Sequence, residues 1–258
     1  MRLTILIVAS LIFILRLDAK EPFVWYDDED YKPYVYKDID GKVKGVFKDL
    51  MVEIFKRMDI PLKYDVFPWK RTQKYVKEGK ADGMVTVPTK ERLKFLYATD
   101  PLVITHEKIF TRRDNPRIEE IKKIKNVEQF KGFKVIDYIG AGWAKEHYKG
   151  FDVVWAPNQT SVFLMLANKR ADIYMANEFI AISNIKKLIR EKPQYAKNLK
   201  KIIICSNSLI KLDFSLLIRK NSAYSHIIPL FNKTLKEMKK DGTYDKILKK
   251  YLTIPKDL

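Results

Sequence analysis

The sequence predicts an α/β protein with a largely parallel sheet, arranged as two similar lobes. Three observations carry this. Apolar patterns of period two alternate along the chain with patterns of period 3.6. A helix-to-strand motif occurs twice, as VKEGKADGMVTV (76–87) and MLANKRADIYMA (165–176), with Asp82 and Asp172 ninety residues apart. Between the copies lies FTRRDNPRIEEIKKIKN (110–126), polar and proline-containing, which suits a crossing between lobes.

The chain of 258 residues opens with MRLTILIVASLIFILRLDA, a short basic start followed by an apolar run from Leu3 to Leu15. The run is shorter than the ~20 residues needed to span a bilayer. Residues 1–19 are therefore read as a cleaved secretory signal, with an uncleaved anchor as the alternative because Arg16 and Asp18 blur the cleavage region. Phe47, Leu50, Met51, Ile54, Phe55 and Met58 share one face of a helix over 47–58. Alternating Leu62, Tyr64 and Val66 form a strand, and a helix over about 70–78 closes at Gly79. ADGMVTV is a strand, followed by a helix capped by Thr89 and a stop at Asp100-Pro101.

The second half repeats the alternation. Strands are predicted at 133–140, 152–156 and 171–176, and helices at 143–150, over QTSVFLMLANKR and over EFIAISNIKKLIR. Gly79 and Asn168 are residue types that close helices in a left-handed conformation. LDFSLLIRKNS is a strand. A helix then places Ile227, Phe231, Leu235 and Met238 on one face, with Pro229 tolerated in its first turn, and a last short helix buries Tyr244, Ile247, Leu248 and Tyr251.

Net charge is +18, or +17 without Arg2, Arg16 and Asp18. The lysines are spread over nearly every helix in short runs, the pattern of solvated faces rather than a nucleic-acid footprint. The single Cys205 lies in the apolar run KIIICS and reads as core packing, with no internal disulfide. His106, His147 and His226 show no metal-ligand spacing with it, and no nucleophile-elbow or phosphate-cradling motif is present.

Taken in order, YKPYVYKDIDGKVKGVFKDLMVEIFKRM, FPWKR, GKADGMV, TKERLKFLYATDP, FKGFKV, NKRADIYMANE and KEMKKDGTYDKILKKYL resemble the bacterial extracellular solute-binding proteins of family 3, over about residues 23–252. The resemblance implies a two-lobe, periplasmic-binding-protein-like (type II) fold with two hinge crossings. It implies a first lobe from 20–110 and 213–258, a second from 111–212, and a periplasmic location. The implied partners are a small-molecule ligand and an ABC-transporter permease, with the protein a monomer, no nucleic acid, no cofactor and no metal.

It also implies site residues. Arg92 matches the arginine that grips a ligand carboxylate, and its place beside a helix N-terminus suits an anion. Val87 stands where a hydroxyl is usual, with Thr86 one residue earlier. Asn177 stands where an aspartate usually meets the ligand's α-ammonium, so that charge pair is lost; Glu178 is the substitute or else a helix N-terminal acid. Trp69 and Arg71 match a cleft-edge segment, Trp69 either stacking on the solute or packing as core. Tyr34 matches a cleft wall aromatic, in a stretch crowded by Trp25, Tyr26, Tyr31 and Tyr36. Gly142 permits close backbone approach where Gly with Ser or Thr is usual, and Trp143 either closes over the ligand or packs between helices.

The leading expectation is a non-catalytic protein that captures a small, polar, carboxylate-bearing solute by hinge closure. The alternatives are an enzyme on the same fold, of the cyclohexadienyl-dehydratase type with Glu178 or His106 as acid or base, and a solute-sensing module without a transporter.

Overall fold

The computed structural model describes residues 21–139, 141–205 and 208–252; the segment read as a secretory signal lies outside the described residues. Among the described residues no helix is long and apolar enough to cross a membrane. The first half comprises β1 (Phe23–Asp28), β2 (Asp30–Tyr31), β3 (Val35–Lys37), β4 (Val43–Lys44), α1 (Val46–Arg57), β5 (Leu62–Phe67), α2 (Trp69–Lys77), β6 (Gly83–Thr86) and β7 (Leu96–Arg112). Next come α3 (Ile118–Ile121), β8 (Val135–Tyr138), α4 (Gly142–His147), β9 (Val153–Ala156), α5 (Gln159–Ala167), β10 (Tyr174–Asn177), α6 (Glu178–Glu191), α7 (Ala196–Leu199) and β11 (Ile202–Ile204). The chain returns through β12 (Ile210–Arg219) and ends in α8 (Ile228–Lys240) and α9 (Thr243–Tyr251).

Two strands tie the lobes together. β7 pairs antiparallel with β12 over Leu96–Glu107, and its far end pairs with β10 and β11 over Glu107–Arg112. Its 17 residues extend about 55 Å at ~3.3 Å per residue. That length lets Val103 sit in the core of the first lobe while Ile109 and Phe110 sit in the cores of the second. Parallel pairing is confined to β5–β1–β6, to β8–β9 and to a bridge between Val135 and Ile173. The rest is antiparallel, which corrects the expectation of a largely parallel sheet. An outgoing and a returning hinge strand must run in opposite directions.

Two sequence boundaries also shift. Asp100-Pro101 does not stop an element: it lies inside β7, where register irregularities on either side of Ser215 face Pro101. A bulge accommodates a residue without an N–H. The polar stretch 110–126 begins within β7, so the crossing is a strand. There Arg112 is buried, its Nη1 donating to the carbonyls of Leu166 (3.2 Å) and Ala171 (3.4 Å).

The repeated motif has one structural purpose in both lobes. The Asp82 carboxylate accepts the Val24 N–H at 2.8 Å while its own N–H donates to the Val24 carbonyl at 2.7 Å. Asp172 does the same with Lys134, at 2.9 and 2.8 Å. Each aspartate clamps the first strand of its lobe to the strand that follows the corner. Gly79 takes the left-handed conformation at the first corner (φ 81°). At the second it is Lys169 (φ 61°), not Asn168, whose side chain instead donates to the Leu164 carbonyl.

The first core joins both ends of the chain. Phe23, Trp25, Phe47, Leu50 and Ile54 pack with Phe231, Leu235 and Met238, and α9 covers them with Tyr244, Ile247, Leu248 and Tyr251. At the start of α1, the N–H groups of Val46 and Phe47 donate to the carbonyls of Pro33 and Tyr34. Gly45 (φ 119°) permits this approach, since a Cβ there would lie 2.3 Å from the Tyr34 oxygen.

Asp82→Ala removes a carboxylate that holds a backbone N–H and the Ser222 hydroxyl (2.6 Å). It is expected to lower unfolding free energy by about 2 kcal/mol, measured by urea denaturation; an unchanged midpoint would contradict the clamp.

Candidate functional site

The parallel strands of the first lobe deliver their carboxyl ends to one edge. β1 ends at Asp28, β5 runs into Trp69 and β6 into Val87, so these residues line up where open α/β sheets bind ligands. Thr89 caps the next turn, its Oγ1 accepting the Arg92 N–H at 3.2 Å; the helix itself is a single 3-10 turn, Arg92–Lys94. The half-buried Arg92 guanidinium is aimed by its Nη1, which donates to Thr86 Oγ1 (3.1 Å) and the Val87 carbonyl (2.8 Å), and lies 5.5 Å from the Trp69 ring centre. Among the described residues it forms no ion pair. It is a positioned cation without a counter-ion, suited to an anionic group.

Across the gap, Asn177 caps α6. Its Oδ1 accepts the N–H groups of Phe179 (3.2 Å) and Ile180 (3.3 Å), and its Nδ2 donates to Thr105 Oγ1 (3.2 Å). The Tyr34 hydroxyl, from the first lobe, lies 2.9 Å from both Thr105 Oγ1 and Asn177 Oδ1. Tyr34 is 0% exposed and Asn177 4%. This buried knot joins the first lobe, the hinge strand and the second lobe.

Beside it lies a cavity of about 790 Å³ between the lobes, within the size range of small-molecule sites. Asp28, Asp30, Tyr31 and Lys32 line it from the first lobe, Glu107, Ile210 and Leu212 from the hinge strands, and Asp137, Tyr138, Tyr174 and Asn177 from the second lobe. Burial pushes Glu107 up to about 7, with the charges of Asp137 and Glu178 adding to it. Burial likewise raises Asp137 to about 6, and raises Asp28. In a chain of net charge +18, the interlobe cavity is lined by four acids.

A profile described as bacterial extracellular solute-binding proteins, family 3, matches residues 24–254. The chain belongs to this family. The lysine/arginine/ornithine-binding periplasmic protein of Escherichia coli (strain K12) is 27% identical over 233 residues, covering 87% of this chain and 85% of that protein. The histidine-binding periplasmic protein of the same strain is 24% identical over 230 residues, with the same coverage of each. Among solved structures, the second substrate-binding domain of Lactococcus lactis GlnP, in an open conformation, superposes with a TM-score of 0.68 at 22% identity, covering 92% of this chain and 97% of that domain.

In this family 3 protein the residues singled out from sequence fall into three groups. Arg92, Thr86, Val87 and Trp69 gather at the first-lobe edge, and Arg71 is exposed on α2 nearby. Tyr34 and Asn177 meet in the knot, and of these only Asn177 lines the cavity. Glu178 turns away from the cavity; buried, it pairs with Lys108 Nζ (2.5 Å) and His106 Nδ1 (3.7 Å). Gly142 opens α4, while the side chain of Trp143 lies outside the described residues. Sequence reasoning missed Asp28, Glu107 and Asp137. A signal existed in Val135-Ile136-Asp137-Tyr138, where a carboxylate interrupts an apolar strand.

Asp27 is a fourth raised acid, pushed to about 7 by burial against hydrogen bonds from Trp25, Val85 and Asp28. Asp27, Glu107 and Asp137 hold protons in the folded state up to about pH 6–7, whereas unfolded they release them near 3.8 for Asp and 4.5 for Glu. Their stabilisation is complete below the unfolded values and lost as pH rises through the folded ones. The melting temperature of the unliganded protein should therefore fall between pH 4.5 and 7.5, and Asp27→Asn should flatten the profile; a rising profile would contradict these environments.

Proposed function

We propose that this chain is an extracytoplasmic capture protein for an amino acid with a cationic side chain. The solute is held between closing lobes and passed unchanged to the permease of an ABC transporter. The observation that carries this is the acid-lined cavity inside a strongly basic chain, with Arg92, which does not itself line the cavity, held nearby at the first-lobe strand ends and without an ion pair among the described residues. A zwitterion with an extra positive charge supplies both complements: its carboxylate for Arg92, its cationic groups for the acids. The Escherichia coli relatives, named for lysine, arginine, ornithine and histidine, support this class of solute. The apolar segment at 1–19 supports export by a cleaved signal, and the protein works as a monomer. Closure follows from linkage, because only the closed state meets the solute from both lobes.

Isothermal calorimetry with L-arginine, L-lysine, L-histidine and L-glutamate tests the solute class. Saturable binding of basic members and none of L-glutamate is expected. Arg92→Ala should weaken binding at least about 100-fold, through loss of a charge-assisted contact, without changing the circular dichroism spectrum. Equal affinity in that variant, or preference for L-glutamate, would refute the reading. NMR of the recovered solute should show no product. Small-angle scattering should show a smaller radius of gyration at saturating L-arginine, and an unchanged one would exclude closure.

A further inference from the structure

Glu107, on the hinge strand, and Asp137, on the second lobe, are the acids that face the cavity from the side opposite Asp28 and Asp30, and neither has an ion-pair partner among the described residues. Glu107 sits on β7 directly opposite Asn177 on β10, so the two side chains share one face of the sheet. Thr105, two residues earlier on the same face, is held in the knot with Asn177. His106 and Lys108 project to the opposite face, where they are occupied by Glu178. The geometry thus consumes the Asn177 amide and presents the Glu107 carboxylate one strand away, in the cavity wall.

Asp137 faces the same cavity from β8 and is only 6% exposed. One of its oxygens accepts the neighbouring Tyr138 N–H at 2.8 Å; the other has no hydrogen-bond partner among the described residues. No Lys, Arg or His side chain among them lies within ion-pair distance of Asp137 or Glu107. The remaining charged groups facing the cavity are Lys32 and Lys187, and Asp28 and Asp30; Tyr31, Tyr138 and Tyr174 form its aromatic wall. Two desolvated carboxylates without a cation are costly to keep ionised unless one arrives with the solute.

We infer that Glu107 and Asp137 form a cation subsite in the second-lobe wall, which takes an ammonium or guanidinium group of the solute and releases a proton as it does so. This deepens the proposed function and rests on the cavity being its solute site. The step balances: the unliganded pair retains a proton near neutrality, the incoming cation replaces it electrostatically, and the proton passes to solvent. The raised pKa values of both groups agree with this exchange.

The test is calorimetry of the wild type and of Glu107→Gln/Asp137→Asn with two probes, L-arginine and agmatine, the second being a cation without a carboxylate. Titrations run at pH 5, 6.5 and 8, in buffers of different ionisation heat. For the wild type, proton release at pH 6.5 is expected, with affinity rising more than about tenfold from pH 5 to 8. The double variant should lose at least about tenfold in affinity at pH 8, together with the proton release. L-arginine binding without proton release, or unaltered in the variant, would overturn the subsite and leave the proposed function standing. Agmatine binding that depends on the two acids, with L-arginine not bound, would support the subsite and overturn the amino-acid reading. Binding of neither probe would overturn both.

Discussion

The buried contact among Tyr34, Thr105 and Asn177 is the constraint on which the site depends. It brings one polar group from each lobe onto a hinge strand, and all three side chains are buried. Each group is satisfied there, which a buried polar cluster requires. The cluster fixes the face of β7 that looks into the cavity. Strand alternation does the rest: with Thr105 turned to Asn177, Glu107 must line the gap, and His106 and Lys108 must turn to Glu178. One strand thus carries a satisfied acid–base cluster on one face and an unsatisfied acid on the other.

This arrangement reconciles a basic protein with the cationic solute proposed for it. The lysines lie on solvated helix faces, many in exposed pairs such as Lys122–Glu119 and Lys74–Glu78, which contribute little to stability. The field that matters to a solute between the lobes is local, and there the second-lobe wall is acidic. At the carboxyl ends of the first lobe's parallel strands, the Arg92 guanidinium is held by Thr86 and Val87 and has no ion pair among the described residues. On the proposed reading, the Arg92 guanidinium at the first-lobe strand ends and the carboxylates of Glu107 and Asp137 in the cavity wall together orient a zwitterion as well as attracting it.

Much of the fold was legible in the sequence because burial leaves a periodic trace. The faces of α1 and α8 were readable from Phe47, Leu50, Ile54, Phe231 and Met238, all of which are buried. The twin aspartates Asp82 and Asp172 were visible as a repeat and have matching partners in Val24 and Lys134. Strand direction was not legible, because pairing depends on which strand crosses between lobes. Pro101 read as a stop because its tolerance depends on a bulge opposite Ser215. At the second corner the left-handed residue moved from Asn168 to Lys169, the one-residue shift common at helix ends. Of the site, the Thr89–Arg92 turn was legible as a cap and a fork. Glu107 and Asp137 were not, since an acid in a strand announces its environment only after its neighbours are placed.

A crystal structure of the protein with L-arginine bound puts the proposed orientation of the solute to the most direct test. The ligand carboxylate should lie against the Arg92 guanidinium, with a cationic nitrogen about 3 Å from a carboxylate oxygen of Glu107 or Asp137. An ordered ligand that meets neither acid, or that leaves Arg92 facing solvent, would contradict it.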